Sequence, residues 1–262
     1  MLNEIFEGLD YSWKTKRVWW YSAISKSRAR FARTLIGGFW LGISNLLSIA
    51  ALSFVYGAVF KITNFNVFVV YLGLGLVFWN VVANSFQLAP YLFESYSAQI
   101  LNTNTNYIFY TFEEWAFQIQ TFFQSLVLVL IGLSFYQPSL IVNLLSVGLL
   151  PLINLLVFIY WFPVIVAILG IRYKDFNQLI PIFCQLIFLL SPFLYEKKNL
   201  GSLSWTADLN PLYQVVASLR DTLISGQISY SLLISIFIMN IFGLCFSLTL
   251  LNRIKKRLPF LI

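Results

Sequence analysis

Six stretches of the chain are almost continuously apolar, at roughly 35–60, 66–90, 112–136, 139–170, 176–195 and 230–251. Each reaches the ~20 residues that carry a helix across ~30 Å of hydrocarbon. They are separated by Lys61–Asn64, the polar run 91–111, Gln137–Pro138, Arg172–Asp175 and the long segment 196–229. The pattern predicts an all-α polytopic membrane protein with six transmembrane helices. Pro151 and Pro163 fall in the fourth span, Pro181 and Pro192 in the fifth, so kinks are expected there.

Two further segments have helical periodicity without the length or apolarity of a span. In VWWYSAISKSRARFARTLIGGFW (18–40), Lys26, Arg30 and Arg33 fall on one helical face, and Trp20, Ile24 and Phe31 on the opposite one. A cationic face opposite aromatic residues predicts a helix lying in the membrane interface. Gly37-Gly38 then lets the chain turn into the first span near Trp40. Residues 1–34 are thus expected as an interface segment ahead of the membrane domain 35–262.

The second such segment is LNPLYQVVASLRD, 209–221. Asn210 before Pro211 reads as an N-cap followed by proline in the first turn. Leu212, Val215, Val216, Leu219 and Leu223 then share one face, with Gln214, Ser218 and Asp221 on the other. Its 15 helical residues, 211–225, extend about 22 Å, short of a crossing. The segment is expected to dip back into one leaflet as a re-entrant element between spans five and six, or else to rest on the surface as a connector.

Composition agrees with the pattern. Of 262 residues, 59% are hydrophobic and only 10% charged, against about 25% charged in soluble domains. Glu4, Glu7 and Asp10 precede any apolar run, unlike a secretory signal. Cys184 and Cys245 each fall inside a span and read as packing residues rather than a disulfide.

Charge sets the orientation. With the N-terminus inside, segments 1–34, 91–111, 171–175 and 252–262 hold 7, 0, 2 and 4 Lys/Arg, together 13 of the 17. The other side keeps Lys61, Lys197, Lys198 and Arg220. The positive-inside rule therefore places both termini in the cytoplasm, and segment 209–221 outside. No basic tract extends beyond the membrane flanks, which excludes nucleic acid as the reason for the +7 charge.

The chain contains no histidine, which removes His-based acid–base catalysis, His-paired nucleophiles and histidine metal sites. Glu113 and Glu114 are adjacent, so on a helix they diverge by about 100° and do not face one another. No GxxxxGK[ST] loop occurs, so ATP is not bound by that route. No Asp, Glu, Lys or Arg is placed with certainty inside a span, unlike an ion-coupled carrier. Energy for uphill transport is expected from a partner. Aromatic residues are the abundant group, and rings with amides suit sugars: Tyr71, Phe78, Trp79 and Phe86 in the second span, Gln118, Gln120 and Gln124 in the third, with Trp40 at the first. Helix packing is the competing role for each.

The chain resembles the permease subunits of ABC-2-type polysaccharide exporters, the family handling O-antigens, capsules and teichoic acids. The elements that carry this are RFARTLIGGFW (30–40), FVYGAVF (54–60), VVYLGLGLVFWN (69–80), LGIRYKDFNQLIP (169–181), SPFLY (191–195), NPLYQVVASLRDTLISG (210–226) and NRIKKR (252–257), in order over nearly the full length. The resemblance implies a homodimer in the bacterial cytoplasmic membrane, with a separate ATPase under each subunit carrying ATP and Mg. This chain itself would be no enzyme and bind no cofactor or metal. It implies outward passage of a lipid-linked glycan. It also implies ATPase coupling through Arg172, Tyr173, Lys174 and Asp175, with Glu94, Glu113 and Glu114 making an acidic fit. The interface helix would use Trp20, Ile24, Lys26, Arg28, Arg30, Phe31 and Arg33, and the exit gate Asn210, Pro211, Tyr213, Arg220 and Asp221.

Two departures stand out. The 2–3 loop, SAQILNTNTNYIFYTFEEW, lacks the basic–aromatic–proline–arginine run common in the family. The outside segment is too short for a large extracytoplasmic domain. A drug or lipid exporter of the same type, a membrane-embedded glycan transferase and a non-transporting scaffold are the alternatives.

Overall fold

A computed structural model describes residues 2–103 and 105–262, and no strand occurs among them. Two amphipathic helices lead, α1 (Leu2–Lys14) and α2 (Lys16–Arg30), followed by the long α3 (Trp40–Phe60) and α4 (Phe65–Leu88). A short 3₁₀ turn at Ala89–Tyr91 and the small helices α5 (Leu92–Ser95) and α6 (Ser97–Asn102) lead to α7 (Tyr107–Ser134). Then come α8 (Ser139–Ser146), α9 (Leu149–Arg172), α10 (Phe176–Leu190), α11 (Ser204–Leu209), α12 (Pro211–Ser225) and α13 (Tyr230–Ile254).

Five helical runs are long and apolar enough to cross a membrane: Gly37–Phe60, Phe65–Asn102, Tyr107–Ser134, Leu149–Arg172 and Tyr230–Ile254. The chain is a multi-pass helical membrane protein. Helices α4, α7 and α9 are mostly enclosed by the rest of the chain, whereas α3 and α13 turn most of their surface outward. That outward surface is apolar (Leu47, Phe54 and Val59 on α3, Ile234, Phe242 and Phe246 on α13), as a lipid-facing surface must be.

Two boundaries differ from the apolar pattern. The stretch 139–170 is two helices rather than one, because the chain bends at Val147–Gly148, where both N–H groups bond to the carbonyl of Asn143. A Cβ on Gly148 would meet Leu223 at 2.8 Å and the Leu144 backbone at 2.9 Å, so only glycine allows this close passage. Helix α10 stops at Leu190 after 15 residues, about 22 Å, shorter than the expected fifth span. Pro192 follows two residues later, and prolines commonly lie just past a helix end. The 91–111 stretch, read as a loop, is mostly helical, with its Asn104 outside the described residues.

Amides hold the bundle internally. Trp161 Nε1 donates to Asn240 Oδ1 at 2.8 Å, and Asn240 Nδ2 to the Asn154 carbonyl at 3.0 Å, joining α13 to α9. Buried amides with partners act as glue between membrane helices, because a lone one is costly in hydrocarbon. Both termini lie at one end of the bundle: Glu4 on α1 accepts from Asn252 of α13 at 3.1 Å and pairs with Lys255 at 3.2 Å.

Candidate functional site

At the end of the bundle away from the termini, α12 is seated among α4, α8, α9 and α13. Its start is capped as the sequence predicts: Asn210 Oδ1 accepts from the N–H groups of Leu212 (3.0 Å) and Tyr213 (3.4 Å), while Pro211 has no N–H to satisfy. Asn210 Nδ2 also donates to Ser191 Oγ at 2.7 Å, tying the cap to the end of α10. The last turn is closed by side chains from elsewhere. Asn143 Nδ2 donates to the Leu223 carbonyl at 2.7 Å, and Gln137 Nε2 to the Ile224 carbonyl at 2.8 Å. A helix end inside a bundle leaves carbonyls with no water to bond, and these two amides take that role. Gly226 then reverses the chain at φ +69°.

Helix α12 is buried on nearly every side, which corrects the expected polar outer face. Ser218 is enclosed with Leu212, Val215, Val216, Leu219 and Leu223, and only Asp221, Gln214 and the ends stay open.

Arg220 is the centre of that arrangement. Counted in the sequence among the outside basic residues, it is only 1% exposed. Its guanidinium stacks 3.8 Å from the centre of the Tyr71 ring on α4. Nη1 donates to the Pro192 carbonyl at 3.2 Å, Nη2 to Tyr213 Oη at 3.3 Å, and Nε to Asp221 Oδ1 at 2.8 Å. Tyr71 Oη donates to the same Pro192 carbonyl at 3.2 Å. A buried guanidinium needs its donors matched, and a fork with an aromatic face does this where an ammonium would not. The loop after α10 is held from both sides, since Phe193 is enclosed by Trp79, Phe188 and Tyr213, and its carbonyl abuts Gly75 with no room for a Cβ.

At the terminal end, α2 is fastened along α7. Its buried stripe is Trp19, Ala23 and Ser27, one residue round from the predicted apolar face of Trp20, Ile24 and Phe31. Trp19 stacks on Phe112 with centroids 5.6 Å apart, and Trp20 is partly exposed. Lys26 leaves the expected cationic face: it pairs with Glu114 at 2.5 Å and lies 4.9 Å over the Phe117 ring. Ser22 Oγ donates to Glu113 Oε1 at 2.7 Å. Arg28 and Arg30 remain exposed, and Arg33 lies past the end of α2 in a turn. Glu113 and Glu114 are therefore engaged by the chain's own helix, not presented to an outside partner as expected, and Glu113 is a buried carboxylate in a helix where none was expected. Adjacent carboxylates diverge around the helix, so one reaches Ser22 and the other Lys26.

Glu94 and residues 172–175 come together on the same end. Lys174 Nζ is 3.1 Å from Glu94, Arg172 lies 5.4 Å over the Tyr173 ring, and Asp175 stands exposed at the start of α10. The surface ion pair contributes at most about 1 kcal/mol, so these charges are available to a partner.

The aromatic residues assigned to a glycan path mostly serve the interior. Phe78 packs on Phe122, Trp79 on Phe188 and Phe193, and Phe86 on Phe158 and Phe162, all buried within this chain. Tyr71 is under Arg220. Only Trp40 is exposed, at the start of α3. Gln120 donates to the Trp20 carbonyl at 3.3 Å, and Gln124 Oε1 is buried without a partner among the described residues. Burial of rings against rings gives close packing its large dispersion term, which is why rings so placed are not lumen groups.

Sequence reading overlooked Asn143 and Gln137, whose only signal is that both are polar residues flanking an apolar run. Cys184 is buried and Cys245 exposed, and both are free. Among the described residues no group of three or more His, Cys, Asp or Glu is placed to hold a metal. No family model and no curated protein matches the chain.

Proposed function

We propose that this chain is the membrane subunit of an ATP-driven exporter that moves a lipid-linked glycan outward across a bacterial cytoplasmic membrane. It works as a homodimer with a separate ATPase under each copy. Both termini are cytoplasmic. Helix α10 together with 191–195 makes the fifth of six crossings in chain order, and α11 and α12 re-enter the outer leaflet before the sixth.

The observation that carries this reading is α12 itself. An element too short to cross, yet seated inside a multi-pass bundle and capped there by Asn143 and Gln137, has the form of a plug for a path through the membrane. Its pin, Arg220, ties it to α4 and to the loop after α10, so movement of either helix is transmitted to it. The exposed cluster of Glu94, Arg172, Lys174 and Asp175 lies at the opposite end, where a soluble ATPase docks in this scheme. With no GxxxxGK[ST] loop in this sequence, ATP hydrolysis in this scheme falls to such a partner.

Purification of the tagged chain from its native host tests the reading. It should bring down an ATPase whose hydrolysis the chain stimulates, and deletion of the chain should remove a surface glycan. Transport by the chain with no ATPase present overturns the proposal. Unchanged glycan with altered drug tolerance points to a drug or lipid exporter instead.

A further inference from the structure

Between α3, α4 and α7, toward the end that carries the termini, lies a cavity of about 230 Å³. It is open at one side and large enough for a monosaccharide-sized group. Its floor is self-satisfied: Asn80 Nδ2 donates to Asn45 Oδ1 at 2.7 Å, and Asn45 Nδ2 to Ser125 Oγ at 2.6 Å. That triad is ordinary glue between membrane helices.

The mouth is different. One turn further along α4, Asn84 points into the cavity, exposed and with no side-chain hydrogen bond among the described residues. Gln87 and Gln118 line the wall beside it. Arg30, at the last turn of α2, reaches the rim and pairs with no carboxylate among the described residues, having only the Phe31 ring 5.6 Å away. Asn80, Asn84 and Gln87 recur at helical spacing on one face of an otherwise apolar helix. Asn80 is bonded to Asn45, Gln118 to Glu114 and Gln87 to the Cys184 thiol, so Asn84 is the amide of this wall that its own chain leaves open, beside the unpaired Arg30, and the two mark a ligand position.

We propose that this cavity binds a phosphate carrying a hydroxyl-rich group. Asn84 and Gln87 bond the hydroxyls through amides that both donate and accept, and Arg30 holds the phosphate at the rim. No carboxylate lines the cavity to repel the anion. A lipid-linked phosphosugar, a phosphatidylglycerol headgroup and a free sugar phosphate all have this chemistry. The site stands on the cavity alone; only preference for the first of these ligands rests on the export reading.

Protection of a cysteine distinguishes them. In a full-length chain carrying Cys184→Ser, Cys245→Ser and Leu88→Cys, an exposed apolar position on the rim that keeps Asn84 in place, reconstituted in phosphatidylcholine nanodiscs, maleimide labelling of the new thiol is measured with each of three probes. These are a short-chain polyprenyl-diphosphate disaccharide, phosphatidylglycerol and glucose 1-phosphate. At least one should slow labelling, and Arg30→Gln should weaken that protection about tenfold, the size of one charge-assisted bond. Arg28→Gln removes the same charge from the same helix outside the cavity and should leave protection unchanged. Protection by phosphatidylglycerol alone supports the site while giving no support to glycan export. Protection by none of the probes, or equal loss in Arg28→Gln and Arg30→Gln, overturns the proposal. Direct binding to Asn84→Leu gives an independent check, because the Asn84 side chain makes no hydrogen bond among the described residues: unchanged affinity there also overturns it. A chain that binds no ATPase but shows the protection would sink the export reading and keep the site.

Discussion

The guanidinium of Arg220 lies 3.8 Å from the centre of the Tyr71 ring, and the two side chains both donate to the carbonyl of Pro192. Three separate parts of the chain meet at that carbonyl: α4, α12 and the turn after α10. Replacing Arg220 by Ala leaves a void and strips the Pro192 carbonyl and Tyr213 Oη of a buried donor. The expected loss is about 2–4 kcal/mol of stability. Asp221 contributes little of this, since its carboxylate is 58% exposed. Arg220→Lys keeps the charge but loses the fork and most of the stacking, and should recover only part of the loss. Thermal unfolding of the three proteins in one detergent measures both differences, and an Ala variant as stable as the parent would contradict the clamp.

The amide caps on α12 give a local prediction. Asn143→Leu and Gln137→Leu each leave a carbonyl of the last turn unpaired, at a cost of about 1–3 kcal/mol. Hydrogen exchange at residues 219–226 should quicken in either variant, while the Asn210-capped first turn is unaffected. Uniform exchange along α12 would show that these amides do not hold the end.

The contact of α2 with α7 is open to charge exchange. Lys26→Glu sets an acid against Glu114 where the ion pair now stands, and the partial exposure of Lys26 limits the change to about 1 kcal/mol. Trypsin cleavage at the exposed Arg28 and Arg30 should then rise roughly five-fold if it follows the opened fraction. The double exchange Lys26→Glu with Glu114→Lys should restore resistance.

Acid should loosen the junction of the two ends of the chain. The side-chain hydrogen bond from Asn252, followed by the Lys255 ammonium, holds the Glu4 carboxyl below its usual range. A depressed folded-state value means that the contribution is full above the ordinary value of 4.5 and is lost as pH falls through the lower one. Spin labels at Glu7→Cys and Arg257→Cys should report a broader distance distribution below that value. Glu4→Gln should remove the pH dependence.

Charge reversal on the exposed cluster tests coupling without disturbing the fold. Arg172→Glu with Asp175→Lys changes only exposed groups, so membrane insertion and unfolding temperature should stay within the small effect usual for surface changes, about 0.5 kcal/mol. On the proposed exporter function, recovery of an ATPase in a pull-down should fall sharply. Normal recovery would mean that the docking surface lies elsewhere.

What composition and apolar periodicity determined is the class: long apolar helices, their approximate ends, and the capped short helix starting at Asn210. These depend on residues near one another in sequence, through hydrocarbon length and backbone capping, and so are readable locally. The tertiary structure alone decided which polar groups meet. The buried setting of Arg220 was not readable because its partners, Tyr71 and Pro192, are far away in sequence. Glu113 and Glu114 looked free for the same reason, with Ser22 and Lys26 some ninety residues upstream. Helical periodicity gave α2 an apolar face, but packing on α7 rotated the buried stripe by one residue, because Trp19 stacks on Phe112 there while Ser22 and Lys26 reach Glu113 and Glu114. In a membrane helix bundle the lipid is as apolar as the side chains, so burial pattern discriminates faces weakly. Hydrogen bonds between distant residues decide them instead, and those appear only when the helices are brought together.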